Sequence, residues 1–248
     1  MNVIYALWLR ELKRYLRSKS QVAVSLVQPA FFLFAFGQGF GPVFQQAGHG
    51  SYLQFLAPGV IGMTVLLSAV LSGIAILWDR QFGFLKAILV APVPRVYVMM
   101  GRTLGGATVG LIQGLLIFLV CFAAGFRVQR VADILPSCGI ITMIALAFAA
   151  LGTAMGSVIK DMQGFQVIVN CLLMPMTFLS GAFYPLSHLS KVLSVIALLN
   201  PVSYGIDALR GTMVGLRHFN LLSDVLFLSG MAATFLVAGA YLFSRIES

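Results

Sequence analysis

Charge is what this sequence has least of. Lysine, arginine, aspartate and glutamate together make up 9% of its 248 residues, and 60% of the residues are hydrophobic. Soluble domains carry about 25% charged residues, so an ordinary soluble domain is excluded and the chain must be solvated by lipid. Acidic side chains are the scarcest, seven against 16 basic ones, for a net charge of +9. Cysteine is nearly absent: Cys121, Cys138 and Cys171 lie in or near apolar runs, too scattered for a disulfide framework or a metal site. Histidine is equally sparse. His49, His188 and His218 fall in separate loops, with no HxxE spacing for a zinc helix. A GxxxxGK[ST] loop and a GxSxG elbow are missing too, so the sequence offers neither a P-loop for ATP nor a serine-hydrolase nucleophile. We therefore expect no catalytic residue, metal or cofactor on this chain.

The few charges are clumped. Residues 20–78, 103–126, 134–159, 162–190 and 225–244 contain no Asp, Glu, Lys or Arg. A spanning helix needs about 20 apolar residues, because roughly 30 Å of hydrocarbon is crossed at about 1.5 Å per residue. The first run has room for two spans and a turn, and each of the others for one. The sequence thus predicts an all-α integral membrane protein with a single transmembrane domain over 1–248. Its six spans fall near 21–41, 55–77, 103–125, 136–158, 163–183 and 224–244. Glycines, a proline and glutamines in "GQGFGPVFQQAGHGS" mark the first turn. Only "KD" separates spans 4 and 5, which should form a tight hairpin. No cleavable signal is evident, since six charges interrupt the first 20 residues.

Residues 3–19 read as an amphipathic helix. Tyr5, Trp8, Leu9, Leu12, Tyr15 and Leu16 share one face; Arg10, Lys13, Arg14 and Arg17 share the other. That pattern suits a helix lying in the membrane interface rather than a nucleic-acid arm. Lys and Arg fix the orientation. With the N-terminus inside, the inner segments hold Arg10, Lys13, Arg14, Arg17, Lys19, Arg80, Lys86, Arg95, Arg102, Lys160 and Arg245, while the outer ones hold only Arg127, Arg130, Lys191, Arg210 and Arg217. Both termini are expected in the cytoplasm. Residues 184–220 then lie outside. "HLSKVLSVIALLNP" and "VSYGIDALRGTMVGL" read as two short helices broken at Asn200-Pro201, too short to span and suited to re-entrant elements.

Apart from Asp224 at the first position of the last one, the spans hold no Asp, Glu, Lys, Arg or His, whereas ion-coupled transporters keep such groups inside the membrane. Energy for uphill transport would have to enter elsewhere. The largest inner loop, "WDRQFGFLKAILVAPVPR", is the inlet to consider. On a helical wheel Phe82, Phe84, Leu85, Ile88 and Leu89 fill one arc and Asp79, Arg80, Gly83, Lys86 and Ala87 the opposite one. This predicts a helix over 79–90 with a shallow polar face, stopped by Pro92 and Pro94. Gly106, Gly110 and Gly114 in span 3, and Gly152 and Gly156 in span 4, recur every four residues and favour close helix packing within or between protomers. In span 1, Phe31, Phe32, Phe34 and Phe36 either face lipid or line a substrate path.

The whole pattern resembles the permease subunit of type-2 ATP-binding-cassette (ABC) exporters, in its drug-resistance and nodulation-factor branch. The most specific stretch is "LSGAFYPLSHLSKVLSVIALLNPVSYGIDALRG", Leu179 to Gly211; "DRQFGFLKAILVAPVPR" is the second match, with Gln81 at a position often acidic in that motif. The resemblance implies a membrane half of an ATP-driven exporter in a bacterial or archaeal inner membrane, carrying a hydrophobic drug, a lipid or a lipid-linked saccharide. ATP and Mg would sit on a separate ATPase subunit, present in two copies, and two permease chains, expected to be identical, would pair. The Asp79–Leu89 helix, with Asp79, Arg80, Gln81, Phe82, Gly83, Leu85, Lys86 and nearby Arg95, would couple to the ATPase. Trp8, Arg10, Lys13, Arg14 and Arg17 would hold the interfacial helix beside it. Tyr184, Pro185, Asn200, Pro201, Asp207 and Arg210 would form the outer gate. Two other readings stand beside this one: a passive channel or facilitator, and a lipid-modifying membrane enzyme built on Tyr184, His188, Asp207 and Arg210. The sequence names neither the cargo nor the pairing partner.

Overall fold

The computed structural model describes residues 2–46, 51–84, 93–185 and 190–244, in which helices are joined by short turns and loops with no strand among the described residues. In chain order the helices are α1 (Asn2–Arg17), α2 (Lys19–Gln46), α3 (Tyr52–Leu71), α4 (Ile74–Gln81), α5 (Arg95–Ala123), α6 (Ile134–Val158), α7 (Met162–Phe178), α8 (Lys191–Leu199), α9 (Pro201–Met213) and α10 (Leu221–Ser244). Five stretches are long and apolar enough to cross a membrane: Val22–Gln46, Tyr52–Gln81, Arg95–Ala123, Val131–Val158 and Leu221–Phe243. The expected fifth span, α7, has 17 residues, about 25 Å of helix. It is apolar but shorter than the hydrocarbon layer. The α8–α9 pair bends by 87° at Asn200. There the Asn200 side chain accepts a hydrogen bond from Val202 N and Pro201 takes the first helical position, where its missing N–H goes unneeded.

Helix α3 is the hub, buried along nearly its whole length between α2, α5, α6 and α9. The expected span 55–77 lies within Tyr52–Gln81, which is interrupted by a turn at Ser72–Gly73 that keeps helical backbone angles, and glycines clamp this turn. A Cβ on Gly73 would lie 2.0 Å from the Gly152 carbonyl oxygen, one on Gly152 would lie 2.2 Å from Val70 O, and one on Gly106 would lie 2.0 Å from Ser72 Oγ. The small-residue ridges of α5 and α6 thus let backbone meet backbone, and they do so within one chain. Helix α10 packs chiefly along α6.

Helix α2 runs to Gln46, through the glycines and Pro42 where a turn is expected. A backbone in hydrocarbon must satisfy its own polar groups, and continued helix is the way to do so. The start of the third span likewise moves from 103 to Arg95, which brings Arg102 into α5. Asp224, the one exception among the expected spans, is fully buried in the first turn of α10.

Candidate functional site

Helix α1 lies along the first half of α5, over Gly101 and Gly105, whose Cβ positions would meet Ile4, Leu7 and Glu11. Its inward stripe is Leu7, Glu11 and Tyr15, while Tyr5 and Leu16 of the expected apolar face point outward. The shift in face has an electrostatic cause. Glu11 pairs with Arg102 of α5, and Arg102 pairs in turn with Asp79 of α4. Arg10 pairs with Asp79, and Arg14 bonds Glu11 at 3.0 Å. Arg102 and Asp79 are 3% and 2% exposed, the two flanking arginines 40% and 47%. Buried charges persist only when paired, so this knot turns the middle of α1 inward. Around it Trp8 Nε1 donates to Thr108 Oγ1 at 2.9 Å, and Gln113 Nε2 donates to Tyr15 OH at 2.8 Å. Burial pushes the Tyr15 phenol up, so it keeps its proton.

The expected coupling helix is therefore corrected at its start. Asp79 does not offer a charge to another protein, and Arg80 donates to Ile159 O at 2.7 Å and Ser157 O at 2.8 Å, capping the end of α6. Helix α4 stops at Gln81. Gly83 sits at φ +76 with open space around it, so it is a left-handed hinge rather than a shallow patch on a continuous helix. Gln81, Phe82 and Phe84 are exposed, with Trp78 stacked on Phe82 at 5.2 Å. Leu85, Lys86 and the rest of that predicted helix through Pro92 lie outside the described residues. Arg95 opens α5. Lys13 and Arg17 of α1 are exposed.

Above the knot lies a cavity of about 800 Å³, walled by α1–α5 and α7. Its charged lining, Glu11, Arg14 and Asp79, belongs to the knot. Its uncharged polar lining includes buried Gln113 of α5, half-buried Ser68 of α3, and exposed Gln28 of α2 and Gln166 and Asn170 of α7. Among the four phenylalanines proposed for a substrate path, only Phe32 lines this cavity. Phe36 stacks on Phe32, Phe40 and Phe183, while Phe31 and Phe34 are 65% and 68% exposed on the outer side of α2.

At the other end, the polar residues are engaged in holding the fold. Arg210 lies over the Phe55 ring at 3.8 Å and donates to Gly181 O at 2.9 Å. Asp207 accepts from the backbone N–H groups of His218 and Phe219 at 2.8–3.0 Å. Asn200 donates to Met176 O, and Tyr52 OH donates to the Phe183 carbonyl at 2.9 Å beside half-buried Tyr184 and Pro185. Asp207 and Arg210 are thus committed to backbone partners, and His188 lies outside the described residues. Sequence reading missed Glu11 and Asp224. Glu11 did leave a signal, being the sole acid before Asp79.

Apolar helices long enough to span, a cavity among them whose charges are confined to the ionic knot, and polar clusters at the two ends suit an integral-membrane permease. The chain belongs to the ABC-2 type transporter family, whose model matches residues 2–214. It is 26% identical over 236 residues to the inner membrane transport permease YadH of Escherichia coli K12, covering 94% of this chain and 90% of the relative. Nodulation protein J of Rhizobium leguminosarum bv. trifolii is 28% identical over 216 residues, 85% of this chain and 80% of that one. The putative transport permease ycf38 of Porphyra purpurea is 27% identical over 197 residues, 78% and 68% of the two chains.

Proposed function

We propose that this permease is the membrane half of an ATP-driven exporter that moves an amphipathic substrate out of the cytoplasm or the inner leaflet. Two copies of a separate ATPase, carrying ATP and Mg, dock on a pair of these chains in the inner membrane, with both termini in the cytoplasm. The observation that carries this reading is the base of α4. It descends from the hub helix α3, is tied through Asp79 to α1 and α5, and ends in exposed Gln81, Phe82 and Phe84 at the Gly83 hinge. A push on the segment after Gly83 would reach three helices at once. The α8–α9 bend and its pinned residues would roof the opposite, outer face as re-entrant elements.

A Gly83→Trp plus Lys86→Glu double variant tests the coupling role, by co-purification of the ATPase and by cargo efflux. Loss of either with normal folding is expected; unchanged values in both would sink the role. A passive facilitator would instead pass solute in liposomes that contain the permease alone, without ATP.

A further inference from the structure

Asp224 stands apart from the other buried acids. It is fully buried in the first turn of α10, and neither carboxylate oxygen has a partner among the described residues. Glu11, Asp79 and Asp207 are buried too, but each is met by an arginine or by backbone N–H groups. The groups facing Asp224 can be named element by element. Helix α6, along which α10 chiefly packs, carries no charged residue and only Cys138 among titratable ones. Helix α5 meets α10 at the opposite end, near Met99 and Gly239. From α9, Asp207 lies close enough for its charge to act on Asp224. Arg210 is turned instead to Phe55 and Gly181, and Tyr204 donates to Leu198 O. Between α9 and α10, exposed Arg217 leans over Gly211 and acts on Asp224 from a distance, without pairing with either carboxylate among the described residues. The His218 ring stands edge-on to Phe219.

We propose that Asp224 is a proton-binding site of the outer end, holding a proton on its carboxyl oxygen while residues 214–220 are seated and releasing it to the outer solution when they lift. The inference goes beyond the exporter reading and rests on it only for which end is outer. Three observations carry it. First, an ionised carboxylate buried without a donor is strongly disfavoured, and an ionisable side chain within a span marks a functional group. Second, two carboxylates in one buried site cannot both ionise without a large cost. Asp207 has three donated hydrogen bonds to meet a charge, and Asp224 has none. Third, those three bonds come from the His218 and Phe219 backbone, and the Phe219 ring stacks on Tyr204 at 5.0 Å. The carboxylate that pins the α9–α10 connection is therefore the one that an ionised Asp224 would repel. When the proton passes from Asp224 to water, two anions remain side by side, and admitting water between them unseats residues 214–220. By linkage, lifting that connection in turn loosens the proton. A metal ion is the competing ligand for these oxygens. No group of three or more His, Cys, Asp or Glu suited to a metal occurs among the described residues, which favours the proton.

The full chain in phosphatidylcholine nanodiscs offers two readouts. At about pH 6, where ordinary carboxyl groups are ionised, infrared spectra should show the C=O band of a protonated carboxylic acid, and Asp224→Asn should remove it. Asp224→Glu keeps the acid and should move the band, which assigns it if the Asn variant folds poorly. The second readout is a spin label on Leu216→Cys, an exposed position in the connection, in a Cys138→Ser, Cys171→Ser background. The label should be ordered at about pH 5 and mobile by about pH 9. Asp224→Asn should abolish this transition and stay ordered throughout. His218→Gln should keep it, because His218 serves Asp207 through its backbone N–H. The proposal is overturned if the parent lacks the band, if the band is unmoved in both Asp224 variants, or if the transition is absent from the parent, survives Asp224→Asn or vanishes in His218→Gln. Sodium or potassium ions that order the label at fixed pH would assign the oxygens to a metal cation and overturn it as well. Neither readout needs the ATPase, so failure of ATP-dependent efflux with both intact would count against the exporter reading and leave this site standing.

Discussion

Replacing Arg102 by methionine should be the most damaging single change at the end of the bundle where α1, α4 and α5 meet. Arg102 is the shared cation of two carboxylates, Glu11 and Asp79, whose side chains are 6% and 2% exposed. Removing it leaves two buried anions, each with one partly exposed arginine. Breaking a buried pair from one side costs about 3–5 kcal/mol. Arg10→Ala or Arg14→Ala, at sites 40% and 47% exposed, should cost about 0–1 kcal/mol each, as exposed pairs do. At roughly 2–4 °C per kcal/mol for a chain of this size, Arg102→Met should lower Tm by about 6–20 °C and the flanking variants by no more than about 4 °C. A thiol-reactive dye reads this directly. Cys121 is buried while Cys171 is exposed and Cys138 half-buried, so a Cys138→Ser, Cys171→Ser background leaves a thiol that reacts only on unfolding. The triple change Glu11→Gln, Asp79→Asn, Arg102→Met removes every core charge of the knot and should recover at least half of the lost Tm, since a neutral replacement of a buried ion network is often tolerated. The reasoning is refuted if Arg102→Met melts within about 2 °C of the parent, or if the triple variant is worse than the single.

Further outcomes follow from the packing. Gly73→Ala places a methyl against the Gly152 backbone and should abolish folded yield in detergent size exclusion, while Gly139→Ala, with open space around it, should be neutral or stabilise by about 1 kcal/mol through helix propensity. Gly83→Ala should cost about 1–2 kcal/mol in backbone strain yet leave the knot intact, so efflux should fall more than Tm. Asp224, buried with neither oxygen partnered, should tolerate Asn with equal or higher Tm; a drop of more than about 5 °C would reveal a cation or donor that the described residues do not supply. Single cysteines at Lys13 and Lys160 should resist an impermeant maleimide in intact cells while those at Arg130 and Arg217 react; the reverse pattern would invert the proposed topology.

What the sequence made legible was local. The break at Asn200-Pro201 announces itself because proline cannot continue a helix and asparagine caps the next one. The glycine ridges of α5 and α6 could be read from four-residue spacing, whereas the tight hairpin expected across "KD" does not form: α6 and α7 follow one another in the chain but share almost no contact. Three features resisted. The end of the first span, expected near residue 41, lies later, since α2 continues through the glycines and Pro42 to Gln46, because glycine and proline punctuation is weaker in lipid than in water. The α3–α4 break has no proline; only tertiary contact with Gly152 and Gly156 reveals it. The ionic knot joins residues 11, 79 and 102, and a helical wheel of any one segment mislays its members. The wheel put Asp79 on an outward face because it could not see Arg102.

That misplacement changes where coupling must be sought. Asp79 and Arg80 sit at the foot of α4 and are spent on the fold: one ties α4 to α1 and α5, the other ties it to the end of α6. A coupling surface needs free groups, and those begin only at Gln81. The division is physically sensible. In the proposed coupling, α4 would serve as a lever whose charged root is buried and saturated, while Gly83 would set the direction of the following segment apart from that of the span. The knot also closes the floor of the amide-lined cavity, since Glu11, Arg14 and Asp79 are both its members and the cavity's lining. Motion at the lever would therefore reach the cavity through the same ion pairs that hold the helices together, without any titratable group in the middle of the bilayer.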